Sequence, residues 1–152
     1  MLEGRRVVER LDEAREEGAS RDELLRSAVR EIEEGEDHFD WVGIYLLEDG
    51  DELRLHNYIG RPTDHDRIPV GKGVCGEAVA EGRDINVPDV RERENYLACS
   101  TETRSELVVL IRDGEDGRIH GQVDLDSDDP DAFDERDERE LRVVADWLAG
   151  LF

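Results

Sequence analysis

Long apolar runs are missing from this chain of 152 residues, and none approaches the roughly 20 residues needed to cross a bilayer. The N-terminus, Met1-Leu2-Glu3-Gly4-Arg5, is charged and amphipathic and lacks the apolar core of a signal peptide. A soluble, cytoplasmic protein is therefore expected, with no membrane partner. Cysteine is scarce. Cys75 and Cys99 cannot make a disulfide framework, and in a reducing cytosol they are buried thiols, a redox pair, or a nucleophile with a partner. His38, His56, His65 and His120 show no ligand spacing with either cysteine, so no metal centre is expected. Lysine is reduced to Lys72 beside nineteen arginines. Internal repeats and low-complexity linkers are also absent, and the length suits one domain over residues 1–152.

Negative charge is abundant. The chain carries 42 acidic against 20 basic residues, a formal charge of -22, spread along its whole length. Self-repulsion of this size destabilises a compact state at low salt and relaxes as salt screens it, which points to a halophilic protein. The same charge disfavours nucleic-acid binding.

Two helical patterns open the chain, over about residues 2–35: Val7, Val8, Leu11 and Ala14, then Leu24, Leu25, Ala28, Val29 and Ile32 behind a capping box at Ser20-Arg21-Asp22-Glu23. A sheet-and-pocket region over about 40–127 follows. Trp41 to Leu47 and Glu52 to Ile59 read as a hairpin around Asp49-Gly50, with Leu53, Leu55 and Asn57 alternating with Arg54, His56 and Tyr58. Gly60 to Arg67 reads as a polar loop, Gly73 to Glu81 as a short helix closed by Gly82, and Asp84 to Val87 as a strand stopped by Pro88. Asp89 to Thr103 is a long polar segment of the kind that often carries function. A second hairpin runs from Ser105 to Ile111 and from Arg118 to Leu125, and Asp134 caps a final helix over about 134–151. Two separated hairpins imply a central antiparallel sheet in an α+β fold. The terminal helices pack on one face, leaving the other for a ligand pocket.

Three constellations can carry chemistry. Cys75 lies at the predicted N-terminus of the short helix next to Lys72, where helix dipole and ammonium favour thiolate, while Cys99 lies in the long segment. Both are equally readable as small packing residues. Asp124 and Asp126 are two apart on a strand and share a face, with Glu106 on the partner strand; such a trio can bind an ammonium group or hold a carboxyl protonated. Trp41 and Tyr45 share a strand face and make either core or a wall for a methyl or thioether group. Asp124, Asp126, Asp128 and Glu135 mimic a calcium-loop count, but Asp129 stands where glycine is needed. Gly71-Lys72-Gly73 lacks the serine or threonine of a phosphate loop.

Taken in order, these segments resemble the GAF-type free methionine-R-sulfoxide reductases. The resemblance rests on Phe39-Asp40-Trp41-Val42-Gly43-Ile44-Tyr45, on Arg67-Ile68-Pro69-Val70-Gly71-Lys72-Gly73-Val74-Cys75-Gly76, on Ala98-Cys99 and Ser105-Glu106-Leu107-Val108, and on Gly121-Gln122-Val123-Asp124-Leu125-Asp126-Ser127. It implies a GAF fold and, as catalytic residues, Cys99 as nucleophile with Cys75 as its disulfide partner. It implies substrate contacts from Trp41, Tyr45, Glu106, Asp124 and Asp126, no bound cofactor, a thioredoxin-like or other thiol reductant, and a possible homodimer. Many members of that group carry a further cysteine ten residues before the match to Cys75, where this chain has His65. The alternative is a non-catalytic GAF module that binds a small ligand or senses redox state, since one fold hosts both kinds of work.

Overall fold

Two amphipathic helices pack their apolar stripes against a sheet. In the computed structural model, which describes residues 1–94 and 102–152, α1 covers Gly4–Glu16 and α2 covers Arg21–Glu34. Leu2, expected inside α1, precedes it yet is fully buried. The Ser20 hydroxyl accepts from the Glu23 backbone N–H at 3.2 Å, and the Glu23 carboxylate reaches back to the Ser20 N–H, so the expected capping box forms.

β1 (Trp41–Glu48) and β2 (Glu52–Ile59) form the first hairpin, β3 (Arg67–Pro69) follows, and α3 spans Gly73–Glu81. Gly82 ends α3 at φ +65°, a left-handed conformation that a side chain would oppose. β4 (Ile85–Val87), a single 3-10 turn at Val90–Glu92, β5 (Ser105–Arg112), β6 (Ile119–Ser127) and α4 (Glu135–Ala149) complete the described elements. Asp134 and Asp137 cap α4 reciprocally. Among the described residues the strands form one sheet in the order β3-β2-β1-β6-β5-β4, with every neighbouring pair antiparallel. No described helix is long and apolar enough to cross a membrane.

One sheet face carries Val42, Ile44, Leu107, Val109, Ile111, Val123 and Leu125, which pack under α1, α2 and α4. Each such side chain taken from water contributes about 1.5–3 kcal/mol. The opposite face carries Trp41, Tyr45, Leu53, Val108 and Leu110 under α3 and Ile68. The expected α+β arrangement is therefore the observed one.

Two local expectations need correction. The polar stretch ending at Arg67 leads directly into a strand, β3, which pairs Ile68 with Leu53. One apolar residue between an arginine and a proline is too short to show a period, and proline is tolerated on this outer strand. Second, the alternation along β2 breaks. Ile44 pairs with Asn57 but Tyr45 pairs with Leu55, so one residue bulges at His56. Asn57 then turns toward α2, where its amide donates to the Leu25 carbonyl, and Tyr58 joins the Trp41 face.

Candidate active site

The site grows from the alternation of β6. Val123 and Leu125 face the helices, so Gln122, Asp124 and Asp126 must face the other way, and all are almost fully buried. Register sets their neighbours. Asp126 lies between Trp41 of β1 and Glu106 of β5, while Asp124 lies between Gly43 and Val108. The carboxylate trio expected from spacing is thus assembled on one face.

α3 places Cys75 over this row. The Cys75 thiol lies 3.3 Å from Asp124 Oδ2 and 3.8 Å from Glu106 Oε2, in donor contact with both acceptors. Burial pushes the Asp124 carboxyl up, while hydrogen bonds with Glu106 and Cys75 pull it the other way. The first turn of α3 is held by Gln122, whose amide donates to the Cys75 carbonyl at 2.9 Å. Sequence reasoning missed Gln122, although its spacing of two from Asp124 was the available signal.

Tyr45, Ile68, Lys72, Gly73, Val74, Cys75, Glu106 and Asp124 line one cleft. Lys72 is the one cation among these lining residues, exposed at the rim. Trp41 and Asp126 sit one rung further along the same face, with the Trp41 and Tyr45 ring centroids 6.3 Å apart. The Trp41 indole is seated closely. A Cβ on Gly43 would fall 2.3 Å from its ring, Tyr58 stacks on it at 5.4 Å, and its N–H donates to the Arg61 carbonyl. The Tyr45 hydroxyl donates to the His65 carbonyl at 2.9 Å, which brings the His65 position against the cleft wall.

Cys99 lies outside the described residues. On either side of residues 95–101, two arginines make ties that the sequence did not reveal. Arg104 bonds the Asp89 carboxylate at 3.1 Å and holds it below the usual carboxylate range, and the Arg104 carbonyl accepts from the Val90 N–H. Arg61 grips Asp128 through both guanidinium nitrogens and pairs with Glu102 at 2.8 Å. That pairing occupies Asp128, one of the residues in the calcium-loop count. The partners in these ties are far apart in sequence, so no spacing rule predicts them.

A curled antiparallel sheet, with helices on one face and a thiol–carboxylate cleft on the other, defines a small α+β domain. The chain belongs to the GAF domain family, whose model matches residues 18–150. It is 39% identical over 110 residues to the free methionine-R-sulfoxide reductase of Escherichia coli, covering 71% of this chain and 63% of that protein. It is similar in structure to the type II free methionine-R-sulfoxide reductase of Thermoplasma acidophilum (39% identity, TM-score 0.80, 87% of this chain and 94% of that one). It is also similar to the free methionine-R-sulfoxide reductase of Neisseria meningitidis in complex with its substrate (34% identity, TM-score 0.87, 98% and 87%). The match thus spans less than two thirds of the Escherichia coli protein's length.

Proposed function

We propose that this chain reduces free methionine-R-sulfoxide to methionine at the expense of thiols. The observation that carries the reading is the Cys75 thiol in contact with Asp124 and Glu106, on the same sheet face as Trp41 and Tyr45. Similarity to proteins that bear this activity supports it.

In this reading the carboxylates of Glu106 and Asp126 take the substrate ammonium, and the aromatic pair receives the methyl and thioether carbons. Lys72 at the rim attracts the substrate carboxylate. The Cys99 thiolate attacks the sulfoxide sulfur while a proton on Asp124, a carboxyl whose hold on its proton burial strengthens, passes to the oxygen. The hydroxyl passes to the Cys99 sulfur, leaving methionine and a sulfenic acid. The Cys75 thiol then condenses with it, an S–S bond forms and water leaves. Two electrons and two protons from a thioredoxin-like dithiol restore both thiols. In this reading Cys75 is the resolving thiol. A cytoplasmic location and a homodimer are part of the same reading.

The test is an assay with the R and S sulfoxides of free methionine, dithiothreitol and molar salt. Methionine should form from the R epimer, and activity should vanish in Cys99→Ser. No methionine, or full activity in Cys99→Ser, overturns the reading. Tight binding of free methionine without turnover would replace the reductase with a ligand-binding module.

A further inference from the structure

The same cleft floor has the composition and spacing of a partial metal shell. We infer that Cys75, Glu106 and Asp124 form a three-ligand site for a thiophilic divalent cation of the zinc class, which blocks the cleft when bound. The blocking rests on the proposed function; the binding rests on the geometry alone.

The three ligand atoms lie within 4.8 Å of one another, and the residues are 5%, 3% and 1% exposed. Zinc holds thiolate sulfur at about 2.3 Å and carboxylate oxygen at about 2.0 Å in a tetrahedron, which puts sulfur and oxygen on one ion about 3.5 Å apart. The observed separations of 3.3 and 3.8 Å straddle that value. The ligands come from α3, β5 and β6, and strand register together with the Gln122 bond to the Cys75 carbonyl already fixes their places.

Asp124 supplies an independent sign. Its Oδ2 meets the Cys75 thiol, but its Oδ1 has no hydrogen-bond partner among the described residues, although the carboxyl is fully enclosed and lines the cleft. A buried acceptor in that condition favours a cation, which would displace the Cys75 thiol proton. Oxygen-seeking ions are poorly served here. Calcium takes six to eight oxygens and magnesium an octahedron, whereas a thiolate with two carboxylates suits zinc, cobalt or cadmium. Tyr45 and Lys72 line the same cleft as the three ligands. A bound ion therefore occupies Glu106, one of the two carboxylates assigned to the substrate ammonium, together with the Asp124 acid, and it removes the Cys75 sulfur from disulfide chemistry.

Cobalt(II) is the probe. Titrating the full, reduced chain under a phosphine reductant should give a near-ultraviolet thiolate-to-cobalt charge-transfer band that saturates at one equivalent and is displaced by zinc. Cys75→Ser should abolish the band, and Asp124→Asn and Glu106→Gln should each weaken affinity by about tenfold or more. No band in the unaltered chain, or a band that survives Cys75→Ser, overturns the inference. Should Cys75→Ser fail to fold by circular dichroism, unchanged affinity in both carboxylate variants overturns it equally. A cobalt band in a chain that never reduces the sulfoxide sinks the reductase reading and keeps the ion site; reduction without a band does the reverse.

Discussion

The two faces of the central sheet are made by the same strands and have opposite economies. On β6, Val123 and Leu125 point under the helices while Gln122, Asp124 and Asp126 point under α3. Both sets are buried, yet the first gains from leaving water and the second loses. A carboxyl that burial drives toward its neutral form is a stored cost. The helix face therefore supplies the stability that lets the cleft face hold groups in an unfavourable environment.

The strongest way to break that contrast is on the helix face. Leu125→Ala removes a fully buried side chain from the main core and should cost about 2–5 kcal/mol in chemical denaturation. Activity per folded molecule should stay near that of the unaltered chain, because Leu125 points away from Asp124. A large loss of specific activity at full folding would show that the faces are not separable.

Gly43→Ala attacks the other face through packing. The new Cβ would meet the Trp41 ring at 2.3 Å, so the indole must move, at a cost of about 1–3 kcal/mol. Loss of stability should be accompanied by a raised KM for the sulfoxide, as the aromatic wall shifts. An unchanged KM would remove Trp41 from substrate contact.

The helix face was the more legible of the two. Apolar periodicity located α1, α2 and α4, turn and glycine signals located α3 and the four long strands, and the spacing of Asp124 and Asp126 placed both on one buried face. What escaped has a physical reason in each case. Ile68 is a single apolar residue and makes no pattern, so β3 is not marked as a strand by the sequence. The bulge at His56 is invisible to an alternation rule, which sets Tyr58 opposite Leu53 and Leu55, yet Tyr58 stacks on Trp41. Gln122 was overlooked because a lone amide carries no charge signal. The ties from Arg61 and Arg104 join residues remote in sequence, and an arginine-rich, acid-rich chain offers too many pairings to choose among.

A subtler difference concerns protons. The folded pKa of Asp124 is raised above its ordinary value near 3.8. The native state thus binds more protons than the unfolded state between the ordinary and the raised values, and stability falls as pH climbs through that window. Above it the full penalty applies. Asp124→Asn keeps an acceptor for the Cys75 thiol and removes the charge, so the variant should be the more stable at neutral pH. Its advantage should shrink toward acid as the unaltered carboxyl becomes protonated. Equal stability at every pH would mean that Asp124 is not a destabilising charge in the folded state.

The smallest expected effect separates buried from exposed carboxylates. The net charge of -22 lies mostly on exposed side chains, and their repulsion is screened as the Debye length falls from about 10 Å at 0.1 M salt to about 3 Å at 1 M. The melting temperature should therefore rise with added salt. Asp124 is almost fully buried, so bulk salt screens it far less than it screens the exposed carboxylates. The increment from salt should thus be the same in the unaltered chain and in Asp124→Asn, giving two parallel lines of melting temperature against salt. Converging lines would mean that salt relieves the cleft itself, by a cation entering beside Cys75 and Glu106. In that case sodium and a noncoordinating organic cation at equal ionic strength should differ in the unaltered chain and agree in the variant. Flat lines would instead show that the surface charge costs the fold nothing measurable, and the halophilic reading would fall with it.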